Sequence, residues 1–315
     1  MTNHVGHGHH TQSHTPSHAH GHSHAPSSSG HIHGTTDFDW DAMGPRLERE
    51  AELSSAQYEE AARWIAGLPD APEVRRVLDI GSGPGVVTCL LAEVFPGAEV
   101  VAVDATPALL ERTAARAGRL GLGDRVRTLE AELPEGISRL GEADLIWAGN
   151  SLHHMGDQRG VLAGFAEHLR PGGMVALVEG GLPTRRLPRD TGIGRPGLEA
   201  RLDAVASAWF QTMRSELPAA KHETEDWNAL FSAAGLTPRG TRSFLLDLTA
   251  PLSDAAREYV VETFVRAREA YADLLDADDI AVLDRLLDPE DPAGLHLRPD
   301  VYLLTARTVQ LARRD

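Results

Sequence analysis

VLDIGSGPG, Val77 to Gly85, carries three apolar residues and an acid into glycines at alternate positions, Gly81, Gly83 and Gly85. An apolar run that ends in glycines and leads into VVTCLLAEVF reads as a strand, a tight loop and a helix. Such a unit opens an α/β sheet, and its loop falls at the carboxyl end of the strand, where these sheets bind ligands. Glycine lets the backbone take unusual torsions there and approach a ligand closely. What the loop lacks narrows the ligand. A dinucleotide fingerprint, GxGxxG, needs glycine at 86 after Gly81 and Gly83, and Val86 stands there. The loop has no lysine for a phosphate-cradling P-loop, and Asp79 just before the glycines would repel a pyrophosphate.

The same alternation continues outward. RRVLDI, AEVVAVD, VRTLEAE, ADLIWAG and GMVALVEG read as strands, and VVTCLLAEVF, ALLERTAARAGRL and QRGVLAGFAEHL as helices. Apolar strands joined by crossover helices imply a mostly parallel sheet covered on both faces, and right-handed crossovers make it doubly wound. Ahead of this, residues 37–73 form a helical lead-in, with Leu47, Leu53, Tyr58, Ala61, Ala62 and Ile65 at helical spacing. After residue 181 the alternation stops. LPTRRLPRDTGIGRPG is a long loop carrying Arg185, Arg186, Arg189 and Arg195, read as solvated or as a clamp for an anionic substrate. Leu198, Leu202, Val205, Trp209, Met213 and Leu217 then mark a helix, and WNALFSAAGL a shorter one. RSFLLDL and VYLLTARTVQLAR read as strands enclosing two further helices. The expected architecture is α/β, a doubly wound, mostly parallel seven-stranded sheet. Its core spans 74–181, and 182–315 supply substrate-side helices, a lid and a final antiparallel strand pair.

The first motif resembles that of the class I S-adenosylmethionine-dependent methyltransferases, a Rossmann-like family whose acid-x-Gly-x-Gly-x-Gly loop wraps the methionine part of the cofactor. The resemblance implies that Asp79, Gly81, Gly83 and Gly85 line S-adenosylmethionine, whose amino group and sulfonium are cationic and suit an acid. It further implies that Asp104, closing AEVVAVD, holds the ribose hydroxyls, and that Ala131 and Glu132 in LEAELP meet the adenine, with Glu where the family usually has Asp. AGNSLHHMGD and LRPGGMVALVE resemble the small-molecule branch, which puts Asn150 beside the cofactor and residues 151–154 on the substrate side. The likeness runs from about Val74 to Glu179. It implies methyl transfer to O, N or C of a small metabolite. Such an in-line displacement needs mainly alignment in a dry pocket, and a base only when the nucleophile carries a proton. His153 and His154 are the candidate catalytic residues, because histidine titrates near neutrality.

Residues 1–36 have a different character. They contain no Asp, Glu, Lys or Arg and hold eleven of the sixteen histidines. That composition predicts a disordered tail, whose His7, His9, His10, His18, His20, His22 and His24 suit weak transition-metal binding. A metal-handling or cofactor-binding protein without transferase activity is therefore the alternative, and an NAD-dependent reductase a further one. Among His153, His154, His168, His222 and His296 no ligand spacing occurs, so no metal is expected in the folded part. Net charge is −16, which disfavours nucleic acid as a partner. No apolar run suits a membrane span and no secretory signal is visible, so the cytoplasm is expected. The single cysteine, Cys89, excludes an intrachain disulfide and reads as a packed thiol. Oligomeric state is not legible.

Overall fold

The computed structural model describes residues 40–69 and 71–315. The expectations for the histidine-rich tail, its disorder and its metal binding, lie outside these residues. The chain runs α1 (Trp40–Leu53), α2 (Ser55–Ala66), β1 (Arg76–Ile80), α3 (Val86–Val94), β2 (Glu99–Asp104), α4 (Pro107–Arg119), β3 (Val126–Glu130) and β4 (Ala143–Gly149). It continues through α5 (Gln158–His168), β5 (Leu169–Arg185), α6 (Leu198–Glu216), α7 (Trp227–Ala233), β6 (Thr237–Leu248), α8 (Asp254–Ala270), α9 (Ala277–Leu287) and β7 (Leu303–Arg313). The strands form one seven-stranded sheet in the order β3-β2-β1-β4-β5-β7-β6. β1 to β5 are parallel, and β7 inserts antiparallel between β5 and β6.

This order follows from how the strands bury themselves. Successive side chains on a strand point to opposite faces. Val77, Leu145, Trp147, Ala176 and Val178 therefore pack with α2 and α3 on one face. Leu78, Ile80, Ile146, Ala148, Val175 and Leu177 pack with α5 and α7 on the other. Both faces are covered, which is why these strands read as unbroken apolar runs. A third cluster joins the start of α6 to α8 and α9 through Leu198, Leu202, Val260, Phe264, Leu283 and Leu286. Side-chain caps start four helices: Asp157 accepts from the Gly160 amide, Asp226 from Ala229, Ser253 from Ala256 and Asp276 from Asp279.

The structure differs from the sequence reading in three places beyond residue 181. β5 does not stop at GMVALVEG. It runs through the 181/182 boundary to Arg185, because β7 continues to pair with it as far as Arg185 opposite Leu304. The arginines of this stretch are mostly held in ion pairs rather than free to clamp a substrate, although Arg189 and Arg195 are exposed as expected of a solvated loop. Arg185 pairs with Asp203 at 2.6 Å, Arg186 with Glu199 at 3.5 Å, and Arg195 with Asp276 and Asp279. Finally, α6 buries only Leu198, Glu199 and Leu202. Its later apolar residues, Val205, Trp209, Phe210 and Met213, stay partly or largely exposed, whereas Trp227 joins the core. Cys89 is buried, and burial pushes its thiol up to about 11, as expected of a packed cysteine. Among the described residues no helix is long and apolar enough to cross a membrane.

At the amino edge of the sheet, buried Asp144 on β4 accepts the amides of Arg75 and Arg76, both at 2.8 Å, and the Arg170 guanidinium at 2.9 Å. One carboxylate thus ties β1, β4 and β5 together. Asp144→Ala leaves two amides without partners and is expected to cost about 2–3 kcal/mol in chemical denaturation. The carboxyl edge of the sheet should be unaffected.

Candidate active site

The glycine loop turns back on β2. The amides of Gly81 and Ser82 donate to the Val103 carbonyl at 2.8 and 3.1 Å, and the Gly83 amide donates to an Asp104 carboxylate oxygen at 2.9 Å. The other oxygen of Asp104 accepts from the Thr106 amide at 2.9 Å, where α4 begins. Gly81 and Gly85 have positive φ, +66° and +79°, and no room for a side chain. A Cβ on Gly81 would lie 2.7 Å from that of Ser151, and one on Gly85 2.5 Å from the Thr113 side chain. At Gly83 a Cβ would meet nothing within 4 Å, so this side of the loop faces open space. The Ser82 and Ser151 hydroxyls flanking the loop are buried with no hydrogen-bond partner.

Two acids stand behind this opening. Asp79 is buried on β1, where it accepts from the Thr88 hydroxyl at 2.6 Å. Burial pushes its pKa up to about 7, against the pull of the Thr88 hydrogen bond, and the charge of Asp104 adds to the rise. The Asp104 pKa is also raised, chiefly by burial, with the amides of Thr106 and Gly83 opposing. Ala131 is buried beside them, its amide donating to the Asp104 carbonyl at 3.0 Å. Glu132 follows it, exposed at the rim.

Across the cleft, the loop after β4 starts at Asn150, a non-glycine residue with φ +50° whose amide donates to Val178 at 3.0 Å. Its side-chain Nδ2 donates to the Tyr58 hydroxyl of α2 at 3.1 Å. His153 and His154 follow in the next turn, their rings tilted by 47° with centroids 4.2 Å apart, and they are held differently. His153 Nδ1 lies 2.9 Å from Oε2 of Glu179, a buried acid on β5. Oε1 of the same carboxylate accepts from the Leu152 amide at 2.9 Å. From above, α6 sets the Phe210 ring 5.6 Å from that of His153, and Arg214 donates to the carbonyls of His153 and Met155 at 2.8 and 2.7 Å. His154 is exposed, with no hydrogen bond to its ring. The solvation it loses against the loop, and then the proximity of His153, lower its pKa.

On the α2 side, Tyr58 is buried edge-on to Trp147 at 6.4 Å. Burial raises its pKa, and the strongest opposing influence is the charge of Arg307 on β7. Among the described residues Arg307 has no ion pair or hydrogen bond, and its Nε is buried. Tyr259 of α8 feels Arg186, Arg46 and Arg307 together, with Glu50 opposing them.

The predicted residues thus gather at the carboxyl edge of the sheet, at the ends of β1 to β4. Sequence reasoning missed Glu179, Tyr58, Arg214 and Arg307. Glu179 carries a signal that was available: it ends the apolar run MVALV, as Asp104 ends VVAV. The other three reach the site from elements outside the motif-bearing stretch, and only the fold brings them in.

Asp79 has a measurable consequence for the ligand-free protein. Its pKa is raised on folding, so between about pH 4 and about 7 the folded chain binds more protons than the unfolded one, and stability falls as pH rises through that window. Asp79→Asn is expected to flatten this part of the stability profile in denaturant titrations at successive pH values. An unchanged profile would place the buried charge elsewhere.

A family model described as a methyltransferase domain matches residues 78–175. Trans-aconitate 2-methyltransferase of Methylobacterium radiotolerans is 30% identical over 231 residues, 66% of this chain and 82% of that protein. The protein of the same name from Streptomyces coelicolor is 30% identical over 226 residues, 69% of this chain and 68% of that one. Among solved structures, geranyl diphosphate methyltransferase in complex with SAM aligns at 17% identity and TM-score 0.47, covering 86% of this chain and 91% of that one. With its seven-stranded doubly wound sheet and these sequence relatives, the chain belongs to the class I S-adenosylmethionine-dependent methyltransferases of the small-molecule type.

Proposed function

We propose that the chain transfers a methyl group from S-adenosylmethionine to an oxygen of a small organic acid. In this reading Asp79, Gly81, Gly83 and Gly85 surround the methionine part, Asp104 the ribose, and Ala131 and Glu132 the adenine. Asn150 lies beside the cofactor, and His153 and His154 face the acceptor. The residues present suit such a ligand. Gly83 leaves space where a side chain would intrude, and the Ser82 and Ser151 hydroxyls are buried without partners. An ionised carboxylate offers about four acceptor positions. Asp104 uses one on each oxygen for backbone amides, which leaves acceptors for ribose hydroxyls. Bound here, S-adenosylmethionine supplies a methyl carbon on a sulfonium, open to in-line displacement. The chain's part is to align the acceptor with that carbon and to exclude water.

The observation that carries the choice of acceptor is Arg307. A partly buried guanidinium with no acid to pair with is costly unless a ligand supplies the anion. This one acts on both Tyr58 and Tyr259, as does the carboxylate of Glu50, whereas the neighbouring Arg46 and Arg186 are already paired with Glu50 and Glu199. The relatives are named for trans-aconitate, a polycarboxylate, and an organic-acid acceptor agrees with that name.

Organic acids, trans-aconitate among them, can be screened for the mass of one added methylene. With the acceptor found, Arg307→Gln is expected to raise its KM roughly 10–100-fold, the worth of one charge-assisted hydrogen bond, while the Kd for S-adenosylhomocysteine stays unchanged. An uncharged acceptor or an unaltered KM would sink the organic-acid reading. Asp104→Ala is expected to lose S-adenosylhomocysteine binding in calorimetry, and retained binding would overturn the placement of the cofactor.

A further inference from the structure

We propose that His153, positioned by Glu179, accepts the proton of the nucleophile, and hence that the oxygen to be methylated begins as a hydroxyl. The inference rests on the reading of this cleft as the transfer site. It parts company with trans-aconitate, whose oxygens are all carboxylate or carboxyl and which needs no base once ionised. The acceptor inferred is an organic acid that also carries a hydroxyl.

The geometry separates two histidines that the sequence leaves equivalent. Glu179 is an acceptor at 2.9 Å from His153 Nδ1, so the ring proton sits on Nδ1 and the lone pair on Nε2. Nε2 has no hydrogen-bond partner among the described residues, and the side chain keeps 21% of its exposure. The ring is fixed on three sides: by the carboxylate below, by His154 alongside and by Phe210 of α6. Its backbone is fixed as well, the carbonyl by Arg214 and the amide by a longer contact with Glu179, 3.4 Å. Of these supports His154 shares only the ring contact with His153. A ring with no hydrogen-bond partner among the described residues has no set tautomer.

A general base needs a free lone pair, a fixed aim and a group that stabilises its protonated form. Glu179 supplies the last two and is a positioning residue, since it touches the ring and not the acceptor. The charged and titratable groups around His153 are Glu179 from β5, His154 from its own turn and Arg214 from α6, and Glu225 ahead of α7 acts on Arg214. In the step itself the hydroxyl oxygen forms a bond to the methyl carbon as the carbon–sulfur bond breaks. The bonding pair leaves with sulfur as a neutral thioether. The hydroxyl proton passes to His153 Nε2, and the imidazolium formed is paired with Glu179.

Three measurements on the complete chain test this. With S-adenosylhomocysteine bound, nitrogen NMR of His153 near neutral pH should show the proton on Nδ1 and Nε2 bare. A proton held on Nε2 overturns the proposal whatever the acceptor. Products from the organic-acid screen should be ethers that survive mild alkali, whereas saponifiable esters overturn it. His153→Gln should lower kcat about 100-fold or more while S-adenosylhomocysteine affinity holds. Glu179→Gln keeps a hydrogen-bonding group and removes its charge, so the ascending limb of the kcat profile should move to lower pH. A role confined to holding the loop would leave that limb where it was, and would overturn the assignment. Failure of the cofactor reading shows separately, as absent S-adenosylhomocysteine binding by the unaltered chain.

Discussion

The site depends on the attachment of the glycine loop to β2. Three amides of the loop are spent on Val103 and Asp104, so the loop is closed on its strand side before any ligand arrives. Gly81 against Ser151 and Gly85 against Thr113 then lock its other contacts, since each approach leaves no space for a Cβ. Only the Gly83 side is left open. This fixes which backbone faces the cleft, and Asp104 serves the loop and the opening at once.

The carboxyl edge of the sheet is built around buried or half-buried acids: Asp79 on β1, Asp104 on β2 and Glu179 on β5. A cluster of acids out of water is unfavourable unless each is protonated, hydrogen-bonded or matched by a cation. The three use different means. Asp79 has its pKa pushed up toward neutrality, Asp104 takes backbone amides, and Glu179 takes two amides and a histidine. Arg307 acts on Tyr58 on the α2 side, where Glu50 also acts. In the proposed reading the acids serve a cationic cofactor and Arg307 the anionic acceptor.

Much of this was legible in the sequence. The order of strands and helices from β1 to β5 followed from apolar periodicity, and the loop chemistry from the spacing of three glycines and one acid. The antiparallel closing pair was also foreseen, because two strands enclosed a helical stretch. What lay beyond reach was contact between distant segments. Tyr58 meets Asn150 across 92 residues, and Arg214 meets the His153 carbonyl across 61. No local pattern encodes such pairs. The ion pairs of the arginine loop were hidden for the same reason, since its counter-charges sit at Asp203, Asp276 and Asp279, and the apolar stripe of α6 gave no sign that its second half stays uncovered.

That second half of α6 has a consequence for how the molecule can change. Beyond Leu202 its apolar residues are scarcely used to hold the sheet together, yet Phe210 and Arg214 reach the histidine turn. Substitutions at Phe210 can alter what packs on the histidine turn while leaving the main core intact. If this turn faces the acceptor, as proposed, selectivity and foldedness lie on separate stretches of chain, and a lineage can change one along this helix without loosening the other.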